Sequence, residues 1–417
     1  MAVPATSQTV VNNPQTGNSS DPTVTTVNGV MTVDNTQTNS GVIFADAPLN
    51  VVENDGLVQA TSDATGNSLQ GGNQAADATL TSSQINHGNI TSHAIINGTN
   101  TGAEDLSLGT PAYATTQAIG NYAASTSTAG NLTANMAQTS DAAHVAATTE
   151  VIAPNNAIYV SGEGDATTEV NHIAYEVSQG RLDSTATQIS STATAANVST
   201  TIHYSPSPNS YSASATNNYY GAYSGDRGSQ DHDITQTSSA MTQARAEVYG
   251  GNTWTVMSNS TAVANNVNLE NTGGSLAVTN HQTQSGPVLS QAVIETDQFG
   301  SAYATASGIG NQLAAGNNDI TVRVDNTQIS TGGVDVTASF EGNTGYDAYI
   351  TADAVGNQAL AYACSECRAD MGVTSDQTNN SDVNATATAT VNNQGRAIVS
   401  AAHATGNSAT WYVSGNK

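Results

Sequence analysis

Val383, Ala385, Ala387, Ala389 and Val391 alternate with Asn384, Thr386, Thr388 and Thr390. Val334, Val336, Ala338 and Phe340 alternate in the same way with Asp335, Thr337 and Ser339. A period of two predicts strands with one face turned inward. A second alternating series ends in Gly-Asn. Stepping back by twos from the asparagine gives Gly356, Ala354, Ala352, Ile350 and Ala348 in one copy. Another gives Gly120, Ala118, Thr116, Ala114 and Ala112. Gly-Asn suits the turn backbone that ends a strand. Ala favours helices, but here it alternates with Thr, Asn and Asp, which do not.

A third pattern sets the beat. Val33-Asp34-Asn35-Thr36-Gln37 returns as Val324-Asp325-Asn326-Thr327-Gln328, with looser copies between and after. Gln37, Gln84, Gln138, Gln188, Gln236, Gln282, Gln328 and Gln377 are separated by 47, 54, 50, 48, 46, 46 and 49 residues. A small residue stands four positions after each. A repeat of about 48 residues predicts stacked units sharing one continuous core.

The inward face is slim: Ala, Gly, Ser and Thr, with occasional Val or Ile. A sandwich core about 10 Å thick needs larger side chains. Small faces suit a flattened coil whose opposed walls come close. The expected fold is therefore all-β, an elongated β-solenoid of about eight repeats over residues 31–407. An irregular N-terminal cap or arm is expected over 1–30, carrying Pro4, Pro14 and Pro22, and a tail over 408–417. A Tyr/Pro-rich insertion is expected near 203–227. Coils of roughly 20–25 residues would make each repeat two coils, about 16 in all and about 75 Å of rod; one large coil per repeat would halve that.

Val33, Asn35 and Gln37 share strand parity, so the amides are expected to point inward with the valine. Each buried amide then needs a partner, since an unpaired one costs about 1–3 kcal/mol. Equivalent amides stacked along the axis would supply it. Asn35 and the eight glutamines are the candidate structural residues.

Charge changes the functional picture. The chain carries a formal charge of -26, with seven basic residues and a single lysine, Lys417. Nucleic acid is excluded as a partner, because few cations are present to replace phosphate counterions. Anionic membranes are disfavoured likewise. Lysine poverty with Thr/Asn richness fits an exported bacterial surface protein. The start Met1-Ala2-Val3-Pro4 lacks the basic and apolar parts of a leader, so the mature portion is expected here.

Candidate chemistry is sparse. Cys364 and Cys367 form a lone Cys-x-x-Cys, without the second pair zinc needs; a small loop disulfide is expected. His232 between Asp231 and Asp233 is the nearest metal-like cluster, and Gly162-Glu163-Gly164-Asp165 the nearest approach to a calcium turn. Neither has motif spacing, and no cofactor or metal is expected. Tyr211, Tyr219, Tyr220 and Tyr223 are the candidate glycan contacts, since tyrosine combines an apolar face with a hydroxyl. Trp254 and Trp411 read as packing residues.

Repeated Ala-x-Ala-x-Gly-Asn with Val-x-Asn-Thr-Gln, in an acidic and nearly lysine-free chain, resembles the holdfast anchor family HfaD of stalked alphaproteobacteria. The resemblance covers roughly residues 30–410 and rests on repeat style. It implies a non-enzymatic protein of the outer surface that ties the polysaccharide holdfast to the cell envelope. It also implies a curlin-like anchor subunit and a curli-channel-like outer-membrane lipoprotein as partners. Self-association is expected from exposed strand edges. The alternatives are a generic secreted adhesin or fibre subunit and a polysaccharide-processing β-helix enzyme. The enzyme would need clustered carboxylates in a groove.

Overall fold

The computed structural model describes residues 9–20, 23–24, 29–102, 106–109, 111–226, 228–319, 321–363 and 369–414. All the described secondary structure is β, and every strand pairing is parallel. The strands stack into one 15-stranded and one 8-stranded sheet, the arrangement of a β-solenoid.

Each repeat makes one large turn, not two smaller ones. Gln37 pairs with Gln84, Gln84 with Gln138, and Gln328 with Gln377, so one step up the stack consumes a whole repeat. Eight such steps at about 4.8 Å give a rod of about 40 Å. One turn has four legs. In the turn that begins at Thr321, the first leg is Thr321–Ser330. The single strand Val334–Ala363 supplies the other three, at 334–342, 347–355 and 357–363. First legs build the smaller sheet, and the remaining legs build the larger one.

The walls enclose two apolar cores. Second and third legs face each other over Val288, Ala292, Ile294, Ala302, Ala304 and Ala306, all fully buried. First and fourth legs enclose Leu276, Val322, Leu313 and Ala315. The inward parity changes between third and fourth legs. Ala112, Ala114, Thr116 and Ala118 are buried on even numbers, whereas Asn121, Ala123, Ser125 and Ser127 are buried on odd ones.

That change of phase happens at Gly-Asn. The expected strand-ending turn is absent there: the strand Ala112–Thr128 runs straight through Gly120 and Asn121. Glycine suits the kink because a Cβ on Gly120 would lie 2.6 Å from the Val170 carbonyl oxygen of the next turn.

The ends and the middle also differ from the sequence expectation. Thr9–Ser20, inside the segment expected as an irregular cap, is a strand in register with Val58–Gln74. Residues 408–413, expected as tail, belong to the strand Ala397–Val413 and pair with Gln358–Ala363. The segment expected as an insertion lies within the strand Ala193–Gly225 and pairs on both sides; its prolines fall at a register shift between Ser205 and Pro208. It is a regular turn in which tyrosine replaces smaller residues.

Candidate functional site

The feature that organises the interior is a pair of amide columns at the waist between the two cores. In one, each glutamine Nε2 donates to the Oε1 of the glutamine one turn earlier, from Gln84 to Gln37 through to Gln377 to Gln328, at 2.7–2.9 Å. In the other, each Gly-Asn-type asparagine Nδ2 donates to the Oδ1 of the asparagine one turn later. That column runs Asn18, Asn67, Asn121, Asn171, Asn218, Asn265, Asn311, Asn357, Asn407 at 2.7–2.8 Å.

The columns clasp each other. Every glutamine Nε2 also donates to the carbonyl of the residue after an asparagine, as Gln84 does to Tyr122, at 2.8–3.1 Å. The asparagines from Asn18 to Asn357 donate to the carbonyl of the residue after a glutamine, as Asn67 does to Ile85, at 2.8–3.2 Å. A carbonyl acceptor admits only the NH2 end, so these bonds fix the orientation of each amide. Asn67, Asn121, Asn171 and Gln84, Gln138, Gln188 are fully buried, and this network satisfies them.

Asn35 joins no such column. Its Nδ2 donates to Ser82 Oγ at 2.9 Å. Further along the same register stand Met136, Ala186 and Ile234, before Asn280 and Asn326 resume the amide contact at 2.8 Å.

The tyrosines separate by strand parity. Tyr211 and Tyr220 are fully buried in different cores, so neither offers a face to a glycan. Tyr219 is half-buried and stacks on His172, which stacks on Tyr122, with centroids 4.7 and 4.9 Å apart. Tyr223 is 42% exposed. Tyr211 also accounts for the calcium-like turn. A Cβ on Gly164 would lie 2.8 Å from the Tyr211 ring, and one on Gly162 would lie 2.7 Å from its hydroxyl. The two glycines make room for the tyrosine of the next turn.

His232 is buried, whereas Asp231 and Asp233 are exposed on the opposite face of the strand. Its Nδ1 lies 2.7 Å from Ser184 Oγ and 2.9 Å from the Tyr220 hydroxyl, and its Nε2 lies 2.7 Å from Gln230 Oε1. Burial pushes its pKa down to about 3, so it is a neutral core histidine. No group of three or more potential metal ligands occurs among the described residues. Cys364 and Cys367 lie outside the described residues. Trp411 packs against the second core, while Trp254 is 59% exposed.

The asparagine column carried a signal in the sequence. Asn67 to Gln84, Asn121 to Gln138, Asn171 to Gln188, Asn265 to Gln282 and Asn311 to Gln328 are each 17 residues apart. Asn218 to Gln236, Asn18 to Gln37 and Asn357 to Gln377 are 18, 19 and 20 apart. So nearly constant an offset between two amides marks a contact and not a variable turn.

Taken together, the single-turn repeat and the clasped amide columns define a parallel β-solenoid held at its waist by side-chain ladders. Residues 52–333 match the family described as Holdfast attachment protein D, and the chain belongs to that family. No curated protein and no solved structure matches the chain. Membership in a holdfast attachment family implies a structural role at the cell surface.

Proposed function

We propose that this chain is a non-enzymatic anchor that ties an adhesive polysaccharide to the outer envelope, with the solenoid as its mechanical element. The observation that supports this reading most is the double amide clasp, repeated on eight turns. Each turn is joined to the next by backbone ladders on several legs and by two buried side-chain bonds at the waist. Pulling one turn from its neighbour must break all of these together, which suits a part that transmits tension. The surface is acidic and rich in Thr, Ser and Asn, offering many hydroxyl and amide partners to a hydrated glycan. A curlin-like subunit and an outer-membrane lipoprotein complete the proposed attachment, together with self-association.

The test is genetic. Cells lacking the encoding gene are expected to shed adhesive polysaccharide into the medium, and the intact chain is expected to restore retention. Full retention in the deletion strain sinks the proposal. Release of reducing or unsaturated sugar from that polysaccharide by the purified chain would favour the enzyme alternative.

A further inference from the structure

Outside the waist, one surface feature stands apart. Where second legs pass into third legs, the stack carries an open groove of about 850 Å³. Two columns line it. Asn252, Gln298, Thr344 and Gln394 lie in register along the axis. Beside them run Trp254, Gly300, Tyr346 and Arg396, one step per turn. Trp254 and Tyr346 are 59% and 50% exposed, large for aromatic residues on so polar a surface.

The groove is held in shape. Trp254 and Tyr346 meet edge to face, with centroids 6.2 Å apart and planes at 73°. The Arg396 guanidinium lies 5.4 Å from the Tyr346 ring centroid. It is tied by two bonds to the Asp347 carboxylate, that from Nε to Oδ1 being 2.9 Å. Between the two rings stands Gly300. A Cβ there would lie 2.3 Å from the Trp254 carbonyl oxygen and 3.0 Å from the indole. Below it, Phe299 is buried and packs edge to face on Phe340 at 4.9 Å, a stiff floor.

We infer that this groove is a carbohydrate subsite that takes a neutral polysaccharide strand along the solenoid axis. The indole and phenol supply apolar faces for sugar C–H surfaces. The primary amides of Asn252, Gln298 and Gln394 each present a donor and an acceptor, which suits neighbouring hydroxyls. Their spacing of one turn lets a repetitive ligand meet the same chemistry at each step. Three observations choose the occupant. The net charge of -26 repels a polyanion, and Arg396, the groove's one cation, is already neutralised by Asp347. The backbone at Asn252, Gln298 and Thr344 is paired with turns on both sides; the one open edge, on the last turn at Gln394, would align an added peptide strand around the coil and not along the groove. The exposed rings are separated by Gly300 and flanked by amides; of the remaining apolar lining, Tyr204 and Pro206 stand at one end and Phe299 is buried, so the groove lacks the continuous apolar centre of a protein-docking patch.

The inference rests on the attachment reading only for the source of the glycan, and its test is separate. Cellohexaose and the polysaccharide shed by the deletion strain are titrated against the intact chain, followed by tryptophan emission. A saturable change is expected with the shed polysaccharide and, more weakly, with cellohexaose. Trp254→Ala is expected to abolish the signal, with Trp411 reporting no change. Tyr346→Ala is expected to weaken binding on the order of tenfold. Circular dichroism confirms that both variants fold. The assignment is overturned if Trp254→Ala retains the shed polysaccharide in a pull-down as well as the parent chain does. It is also overturned if neither sugar moves the emission, or if the substitution instead abolishes self-association in sedimentation, which assigns the groove to a protein. In cells, a Trp254→Ala/Tyr346→Ala variant that retains polysaccharide fully removes the groove but leaves the anchor role standing.

Discussion

Asn171 donates its side-chain amide to Asn218 at 2.8 Å, although 47 residues separate them. One turn of the solenoid is thereby tied to the next by a buried side-chain bond in addition to the backbone ladders. The same contact recurs along the stack, and the glutamine column mirrors it. Most of the expectations that follow come from that arrangement.

Gln188 lies mid-column. It donates to Gln138 Oε1 and to the Tyr219 carbonyl, and accepts from Gln236. Gln188→Leu is expected to orphan Gln138 Oε1 and to leave one of the two Gln236 N–H donors without its acceptor, the other keeping the Asn266 carbonyl, destabilising the fold by about 2–6 kcal/mol. Gln377 is only half-buried and donates to Gln328 alone within the column, so Gln377→Leu is expected to cost clearly less. Urea midpoints of the two variants check this. Equal losses would show that the column acts as no more than space filling.

Ala306 is fully buried in the first core, in register with Ser260 and Ala352. The facing walls leave little room, so Ala306→Leu is expected to destabilise by about 1–3 kcal/mol through overpacking. Ala387, on the facing second-leg wall in the last turn, is half-buried, and its leucine variant should be nearly silent. Thermal unfolding of the pair decides whether the slim interior is a requirement or an accident of composition.

Tyr211 fills the space above Gly164, whereas Tyr223 faces solvent. Tyr211→Ala is expected to cost about 3–5 kcal/mol. Tyr223→Ala should stay within about 0.5 kcal/mol of the parent. Calorimetry separates these outcomes, and comparable effects would contradict the parity assignment.

His232 gives a signed pH dependence. Burial lowers its pKa from the ordinary 6.5 to about 3, so between those values the unfolded chain binds a proton that the folded chain refuses. Its contribution to stability is complete above about pH 6.5 and is lost as pH falls towards about 3. His232→Gln, which cannot titrate, is expected to lose less stability than the parent between pH 7 and pH 4.5. Chemical denaturation at both values measures the difference; parallel declines would remove His232 as the cause.

Much of this fold was legible in the sequence because strand alternation and the 48-residue beat act at every level of it. The Val-x-Asn-x-Gln spacing placed the glutamines on one face, and alternating Ala with Thr implied close walls. What was not legible came from the same parity rule applied too locally. Gly-Asn resembles a turn when read alone; its role appears only when Asn121 is set against Gln138 across 17 residues. The tyrosines of 203–227 resemble an exposed cluster, yet Tyr211 and Tyr220 sit on inward positions that a shift of phase at Asn217 and Asn218 separates. Trp254 read as packing because nothing local shows that its column neighbour, Gly300, leaves it a gap.

The two waist columns point in opposite senses along the rod: asparagine hands its hydrogens towards the C-terminus, glutamine towards the N-terminus. Aligned amides accumulate dipole as peptide units do in a helix. Here the second column subtracts what the first adds. Further turns therefore raise no growing electrostatic imbalance at the tips, and the length of such a rod is left to the number of repeats it encodes.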